Sequence, residues 1–174
     1  FTEDGVEKFN VIDGNFACMT VESLSLLNTD QTPTSFWIVN PQNYIRNNHA
    51  GGSKNYGFWW RMELAITGTN ANTPGACPLH EPLLQFHNNV AHSNGRYGLR
   101  MFEQYIPYVN GCDASGGLLT VEMTNFLSWR NELDGVVPTV IGQVVFRNIQ
   151  LVDNRKAGFE IREVFGEWGQ PRVE

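Results

Sequence analysis

The chain has 174 residues, 41% apolar and 17% charged, a composition that supports a packed core and excludes intrinsic disorder. Twelve Lys and Arg against 18 Asp and Glu leave a net charge of −6, which argues against a polyanion such as DNA as the main partner but leaves room for a local basic groove. No apolar run approaches the roughly 18 residues of a membrane span, and Phe1-Thr2-Glu3-Asp4-Gly5 is unlike a signal peptide, so any address or anchor is expected outside this segment and no direct membrane contact within it.

Seventeen glycines, abundant asparagine and few successive helix formers predict short strands and tight turns, with no helix. In chain order, Asn10-Val11-Ile12-Asp13-Gly14-Asn15 is a weak first copy of a pattern that Asn43-Tyr44-Ile45-Arg46-Asn47-Asn48 repeats. The full pattern follows four times: Ile45 to Asn47 and Gly57, Phe86 to Asn88 and Gly98, Met123 to Asn125 and Gly135, Phe146 to Asn148 and Gly158. Each apolar residue has Asn two positions on and Gly twelve positions on. Three copies also place Asn eight positions on, at Asn94, Asn131 and Asn154, where the first has Ser53.

A strand, an Asn corner, a short strand, a Gly corner and another strand is the demand of a parallel β-helix, whose coils stack about 4.8 Å apart. Asn tolerates left-handed backbone and can pair with the Asn above it, and Gly is expected here to turn a corner at φ > 0. The fold class is therefore all-β, a right-handed parallel β-helix of PbH1-type repeats spanning residues 1–174, as a slice of a longer solenoid. The copies are spaced by 41, 37 and 23 residues, and the longer intervals imply loop insertions at 64–82 and 103–117. Within the first, Thr67 to Gly75 reads as an exposed loop. The competing reading is a β-sandwich whose turns happen to hold Asn and Gly; four matches at fixed offsets favour the helix.

Cys77 and Cys112 each sit in an insertion and are able to clamp the two loops; from the residues alone, a reduced state of all three cysteines stays open. Cys18, in Phe16-Ala17-Cys18-Met19, is expected to be a buried thiol. No His or Cys spacing makes a zinc site, and no phosphate-binding loop, nucleophile elbow or calcium loop occurs, so no metal and no cofactor are expected. His49 and His92 lie near each other in the coil register, where local hydrogen bonding is the plainer role. Carboxylates suited to sugar chemistry are Glu3 and Asp4, with Glu63, Glu103, Asp113 and Asp134 elsewhere, each expected to be solvated. Tyr56, Trp59, Trp60, Arg61, Tyr97 and Arg100 gather around two Gly positions as a saccharide- or protein-binding surface, with about half of them facing the core.

Ser35-Phe36-Trp37-Ile38-Val39-Asn40-Pro41, Asn47-Asn48-His49-Ala50-Gly51-Gly52-Ser53, Gly57-Phe58-Trp59-Trp60-Arg61-Met62 and Asn88-Asn89-Val90-Ala91-His92-Ser93, in that order after Phe1 to Gly5, carry a resemblance. The chain resembles the parallel β-helix region of the fibrocystin-L-like family and, more distantly, that of a group of hyaluronan-binding proteins and cell-surface hyaluronidases. Phe102-Glu103-Gln104-Tyr105-Ile106-Pro107 and the short stretch between Ser23 and Ser35 favour the fibrocystin side. The resemblance implies a fragment of a large extracellular or cell-surface protein, ciliary in some settings, with membrane-anchored parents, G8 domains and immunoglobulin-like arrays. It implies an oxidising compartment and hence the Cys77–Cys112 bridge. Expected partners are neighbouring domains of the same protein, surface or filament proteins, and glycans; nucleic acid is not expected. The function expected first is a noncatalytic structural or recognition module. The alternative is a glycan-cleaving enzyme in which Glu3 or Asp4 acts as acid or base and His49, His92 or Arg61 orients the sugar.

Overall fold

A computed structural model of the chain describes residues 2–24, 31–66, 68–71, 73–166 and 169–174. The stretch between Ser23 and Ser35 lies partly outside the described residues. The first coil contributes β1 (Val11–Asp13), β2 (Phe16–Cys18) and β3 (Thr34–Ile38); the second, β4 (Tyr44–Arg46), β5 (His49–Gly51) and β6 (Tyr56–Trp60); the third, β7 (Gln85–His87), β8 (Val90–His92) and β9 (Tyr97–Tyr105). A hairpin, β10 (Tyr108–Asn110) and β11 (Asp113–Leu118), precedes the fourth coil, β12 (Val121–Thr124), β13 (Leu127–Trp129) and β14 (Asp134–Ile141). The last coil holds β15 (Val144–Arg147), β16 (Gln150–Val152) and β17 (Ala157–Phe159), and then β18 (Glu163–Val164) and β19 (Arg172–Val173) close the chain. Among the described residues the one helical turn is a 3₁₀ segment, Gly68–Asn70.

The strands form three parallel sheets, each taking one strand per coil: sheet A in the order β1-β4-β7-β12-β15-β19, sheet B as β16-β13-β8-β5-β2, and sheet C as β17-β14-β9-β6-β3 with β18 beside β14. Among the described residues the hairpin is the one antiparallel strand pair, beside a single antiparallel bridge between Met62 and Gln104. Because coils stack in register, like residues fall in columns. Ile12, Ile45, Phe86, Met123 and Phe146 form the inner column of sheet A. Ala17, Ala50, Ala91, Ser128 and Leu151 form that of sheet B, and Phe36, Phe58, Leu99, Val136 and Phe159 that of sheet C. They meet in one core, each large side chain contributing roughly 1.5–3 kcal/mol by leaving water. The weak first copy stacks in register on the second, Ile12 opposite Ile45.

Corners are held by two means. Asn47, Asn88, Asn125 and Asn148 are left-handed (φ 56, 52, 54 and 52), as their residue type predicts, and Met19, Ser93, Arg130 and Asp153 (φ 57, 54, 51 and 53), with Gly52, form a second left-handed column that the sequence did not announce. Side-chain amides then stack across coils, Asn15, Asn48 and Asn89 in one ladder and Asn94, Asn131 and Asn154 in another, buried at Asn48, Asn89, Asn94 and Asn131; Asn48, Asn89, Asn131 and Asn154 each accept the main-chain N–H of the ladder residue in the coil before, at 3.0 or 3.1 Å. Ser53 donates its N–H to Asn94 in the same way (3.0 Å).

Gly57, Gly98, Gly135 and Gly158 are not the positive-φ corners expected of them. They lie within strands of sheet C, where a side chain has no room. A Cβ on Gly98 would stand 2.0 Å from Ser128 Oγ and 2.7 Å from Gly135 O; one on Gly57 would stand 2.8 Å from Ala91 Cβ. Close approach of sheet B to sheet C selects glycine, not torsion.

Candidate functional site

The aromatic set assembles on the outer face of sheet C. Trp37, Trp59, Arg100 and Val137 are aligned across β3, β6, β9 and β14. Tyr56, Trp59, Tyr97 and Val137 form a second apolar cluster with Trp37, Phe102 and Leu133 against it. Tyr56 and Tyr97 stack with centroids 5.5 Å apart, and Trp37 and Trp59 meet at 4.5 Å with their rings tilted by 39°. The Arg100 guanidinium lies 4.2 Å from the Phe102 ring, 4.8 Å from Tyr56 and 5.3 Å from Trp59, and bonds the Tyr56 hydroxyl. Arg61 lies 5.4 Å from Trp59 and 5.9 Å from Trp37, held by Glu63 at 2.8 Å. Arg162 reaches Tyr97 Oη at 3.3 Å. Of the six residues expected at this surface, only Trp60 turns into the main core, where it is fully buried between Phe86 and Tyr105. Trp37, Phe102 and Arg162 were not anticipated. Trp37 faces Trp59 only through a register that the repeat, weak in the first coil, did not carry as far as β3.

The histidines stand on the outer face of sheet B. Three-residue strands put their first and third side chains outward, so Phe16, His49, His92 and Trp129 make a diagonal column with centroid spacings of 5.2, 4.8 and 4.1 Å. His92 lies over Gly51. Burial and then the neighbouring His49 charge hold the His92 imidazole below its ordinary value. His92 Nδ1 shares a hydrogen with Ser93 Oγ at 3.0 Å, while His49 Nε2 is buried without a partner among the described residues. The same outward geometry exposes Cys18, correcting the expected buried thiol.

Glu3 and Asp4 sit elsewhere, in a turn organised by Glu7. Burial raises that carboxyl, but the N–H groups of Glu3, Asp4 and Gly5 (2.9, 3.1 and 2.9 Å) outweigh it and hold the group below its ordinary value. Asp4 accepts from Asn70 Nδ2 at 2.8 Å, and its carboxylate crowds Gly68. The turn packs on Val39 and Asn40 after sheet C, not on sheet B. Glu3 and Asp4 are thus not brought together with His49 and His92.

Among the described residues, two other carboxylates are buried. Glu81, 4% exposed, is satisfied by Lys8 (2.5 Å) and Asn40 (2.9 Å); with burial as the larger cause, its charge raises the Tyr105 hydroxyl well above the ordinary value. Asp134, expected to be solvated, is fully buried at the start of β14 with neither oxygen hydrogen-bonded among the described residues, and Lys156 stands 3.7 Å away. Desolvation outweighs Lys156 and raises its carboxyl. Among the described residues no His, Cys, Asp and Glu gather as metal ligands.

Cys77 and Cys112 form a disulfide between the β6–β7 connection and the β10–β11 hairpin, with Cα atoms 5.5 Å apart. The bridge fits an oxidising compartment.

Three parallel sheets wound coil on coil, with stacked Asn ladders inside the corners, define a β-helix protein. Residues 1–99 match the family described as CEMIP beta-helix, and the chain belongs to it. It is 36% identical over 174 residues to Fibrocystin-L of Mus musculus and 35% to that of Homo sapiens, alignments covering 98% of this chain and 4% of each relative. It is 32% identical over 126 residues to the cell migration-inducing and hyaluronan-binding protein of Homo sapiens, covering 57% of this chain and 9% of that protein. The chain thus spans a small part of the length of these relatives.

Proposed function

We propose that this chain is a noncatalytic recognition and structural module of a large fibrocystin-like extracellular or cell-surface protein. In this reading it is a right-handed, PbH1-type slice of a longer solenoid, with the loops at 64–82 and 103–117 displayed from a stiff stack. The observation that carries the reading is the separation of the acid–base candidates: Asp4 is engaged by Asn70 in a turn held by Asn40, with Glu3 exposed beside it, and His49 and His92 stand on sheet B. The aromatic–arginine face of sheet C, by contrast, is assembled and backed by packed rings. Arg61, Arg100, Trp37 and Phe102 are its half-buried outer members. Guanidinium groups over aromatic rings suit acidic protein surfaces or glycans. Partners are flanking domains of the same chain, surface or filament proteins, including those of cilia, and saccharides.

Arg61→Glu tests this at a residue whose removal leaves the core intact. Binding of the isolated segment to the flanking domains of its parent, and to a glycan panel, is measured by titration calorimetry. The reading expects at least one probe to bind and the variant to weaken that probe about tenfold, the loss of one charge-assisted contact. No binding by any probe, or equal binding by the variant, contradicts the assignment of this face.

The second reading is glycan cleavage. It draws on the hyaluronidase named among the relatives, Cell surface hyaluronidase CEMIP2 of Homo sapiens, 30% identical over 125 residues and covering 57% of this chain. It also draws on the unpartnered His49 nitrogen beside His92.

A further inference from the structure

Where sheets A and B meet, the corner asparagines, exposed except for the half-buried Asn125, form a ladder of their own. Asn88 Nδ2 donates to Asn47 Oδ1 (2.8 Å), and Asn148 Nδ2 donates to Asn125 Oδ1 (2.7 Å). Between the third and fourth coils the ladder breaks. Asn88 Oδ1 and Asn125 Nδ2, an acceptor and a donor on adjacent coils, have no partner among the described residues. The inner ladder stops at the same level: Phe126 takes the position after Asn125 that Asn48 and Asn89 occupy in the coils before. The Asn89 N–H therefore lacks the side-chain acceptor that Asn15 and Asn48 have.

A cleft of about 330 Å³ opens at this break, lined by Asn88, Asn89, Asn125, Asn148 and Gln150 and by the apolar side chains of Val90, Phe126 and Leu127. Its volume lies at the lower end of the roughly 300–1,000 Å³ usual for small-ligand sites. It holds no charged side chain.

We propose that this cleft is a binding site for an uncharged saccharide. A sugar hydroxyl both donates and accepts, so one ring edge bridges Asn125 Nδ2 to Asn88 Oδ1 and fills the missing rung, while the C–H face of the ring lies on Val90 and Leu127. An uncharged lining offers nothing to a uronate or a sulfate. The site is separate from the face of sheet C and stands or falls independently of it.

The test is an amide-resolved NMR titration of the whole 174-residue chain with gluco-, galacto- and manno-configured neutral disaccharides, with a hyaluronan tetrasaccharide and a polar strand-forming peptide alongside. Asn125→Gly keeps the left-handed corner and removes the donor; Arg130→Gly makes a like change in the second left-handed column, outside the cleft. The expected result is that a neutral disaccharide shifts the side-chain amides of Asn88, Asn125 and Gln150, independently of salt. N125G then weakens it about tenfold, one hydrogen bond's worth, and R130G leaves it unchanged. The proposal is overturned if no neutral disaccharide shifts these amides, if only hyaluronan or the peptide does so, or if both variants bind alike with native spectra.

Discussion

Gly98 is fixed by what faces it, because a methyl group there would stand 2.0 Å from Ser128 Oγ and 2.7 Å from the Gly135 carbonyl. Gly98→Ala should lose about 1–3 kcal/mol or more in denaturant unfolding through overpacking. Gly111→Ala meets nothing within 4 Å and bears only its torsional strain at φ 61, about 1 kcal/mol. Equal losses would contradict the packing account of the repeat. Asp134 gives a pH dependence. Its folded carboxyl titrates above the ordinary 3.8, so the native state holds the proton more tightly than the unfolded chain does. Its contribution to stability is full below that ordinary value and is lost as pH rises through the raised folded value. Asp134→Asn should therefore gain stability relative to the parent chain as pH rises towards neutrality. Thermal unfolding across that range checks it, and a constant difference would exclude the carboxyl as the cause. The recurrence of glycine was legible because the column repeats; its cause was not, since a left-handed corner and a forbidden Cβ select the same residue. Asp134 was illegible for a related reason: burial at a strand start depends on neighbours from other coils, Lys156 among them.

Among the elements, the β10–β11 hairpin stands outside the three sheets and is tied back at one end by the Cys77–Cys112 bridge across 35 residues of chain. Closing a loop of that length stabilises by roughly 3–4 kcal/mol on the chain-entropy argument. The double substitution Cys77→Ser/Cys112→Ser should lower unfolding stability by up to that amount. Hydrogen exchange should accelerate first in the hairpin and in residues 73–80, with β4, β5 and β8 still protected. Uniform loss of protection would show instead that the bridge supports the whole stack. The cysteines were visible in sequence as members of two non-repeating stretches, while their pairing followed from family resemblance. The outward position of Cys18 was missed because a three-residue strand with an alanine at its centre reads as continuously apolar, although only Ala17 turns inward.

For the whole molecule, the coil register was legible because stacking forces unlike loops to return to like corners: offsets of 33, 41, 37 and 23 residues all bring an Asn onto an Asn or its main chain. Function was less legible. Residues on different sheets look adjacent in a coil's sequence yet face away from one another, so Glu3, Asp4, His49, His92 and Arg61 made a plausible list and do not make one site. Their dispersal over three surfaces supports the proposed reading that this segment recognises and does not cleave. The most direct test incubates the folded, disulfide-intact chain, alone and within the longest soluble segment of its parent, with labelled glycans including hyaluronan. Glu3→Gln/Asp4→Asn and His92→Ala variants run beside it. The account predicts that chain length in every glycan is unchanged; depolymerisation that any of these substitutions abolishes would contradict it and place the chemistry on that residue.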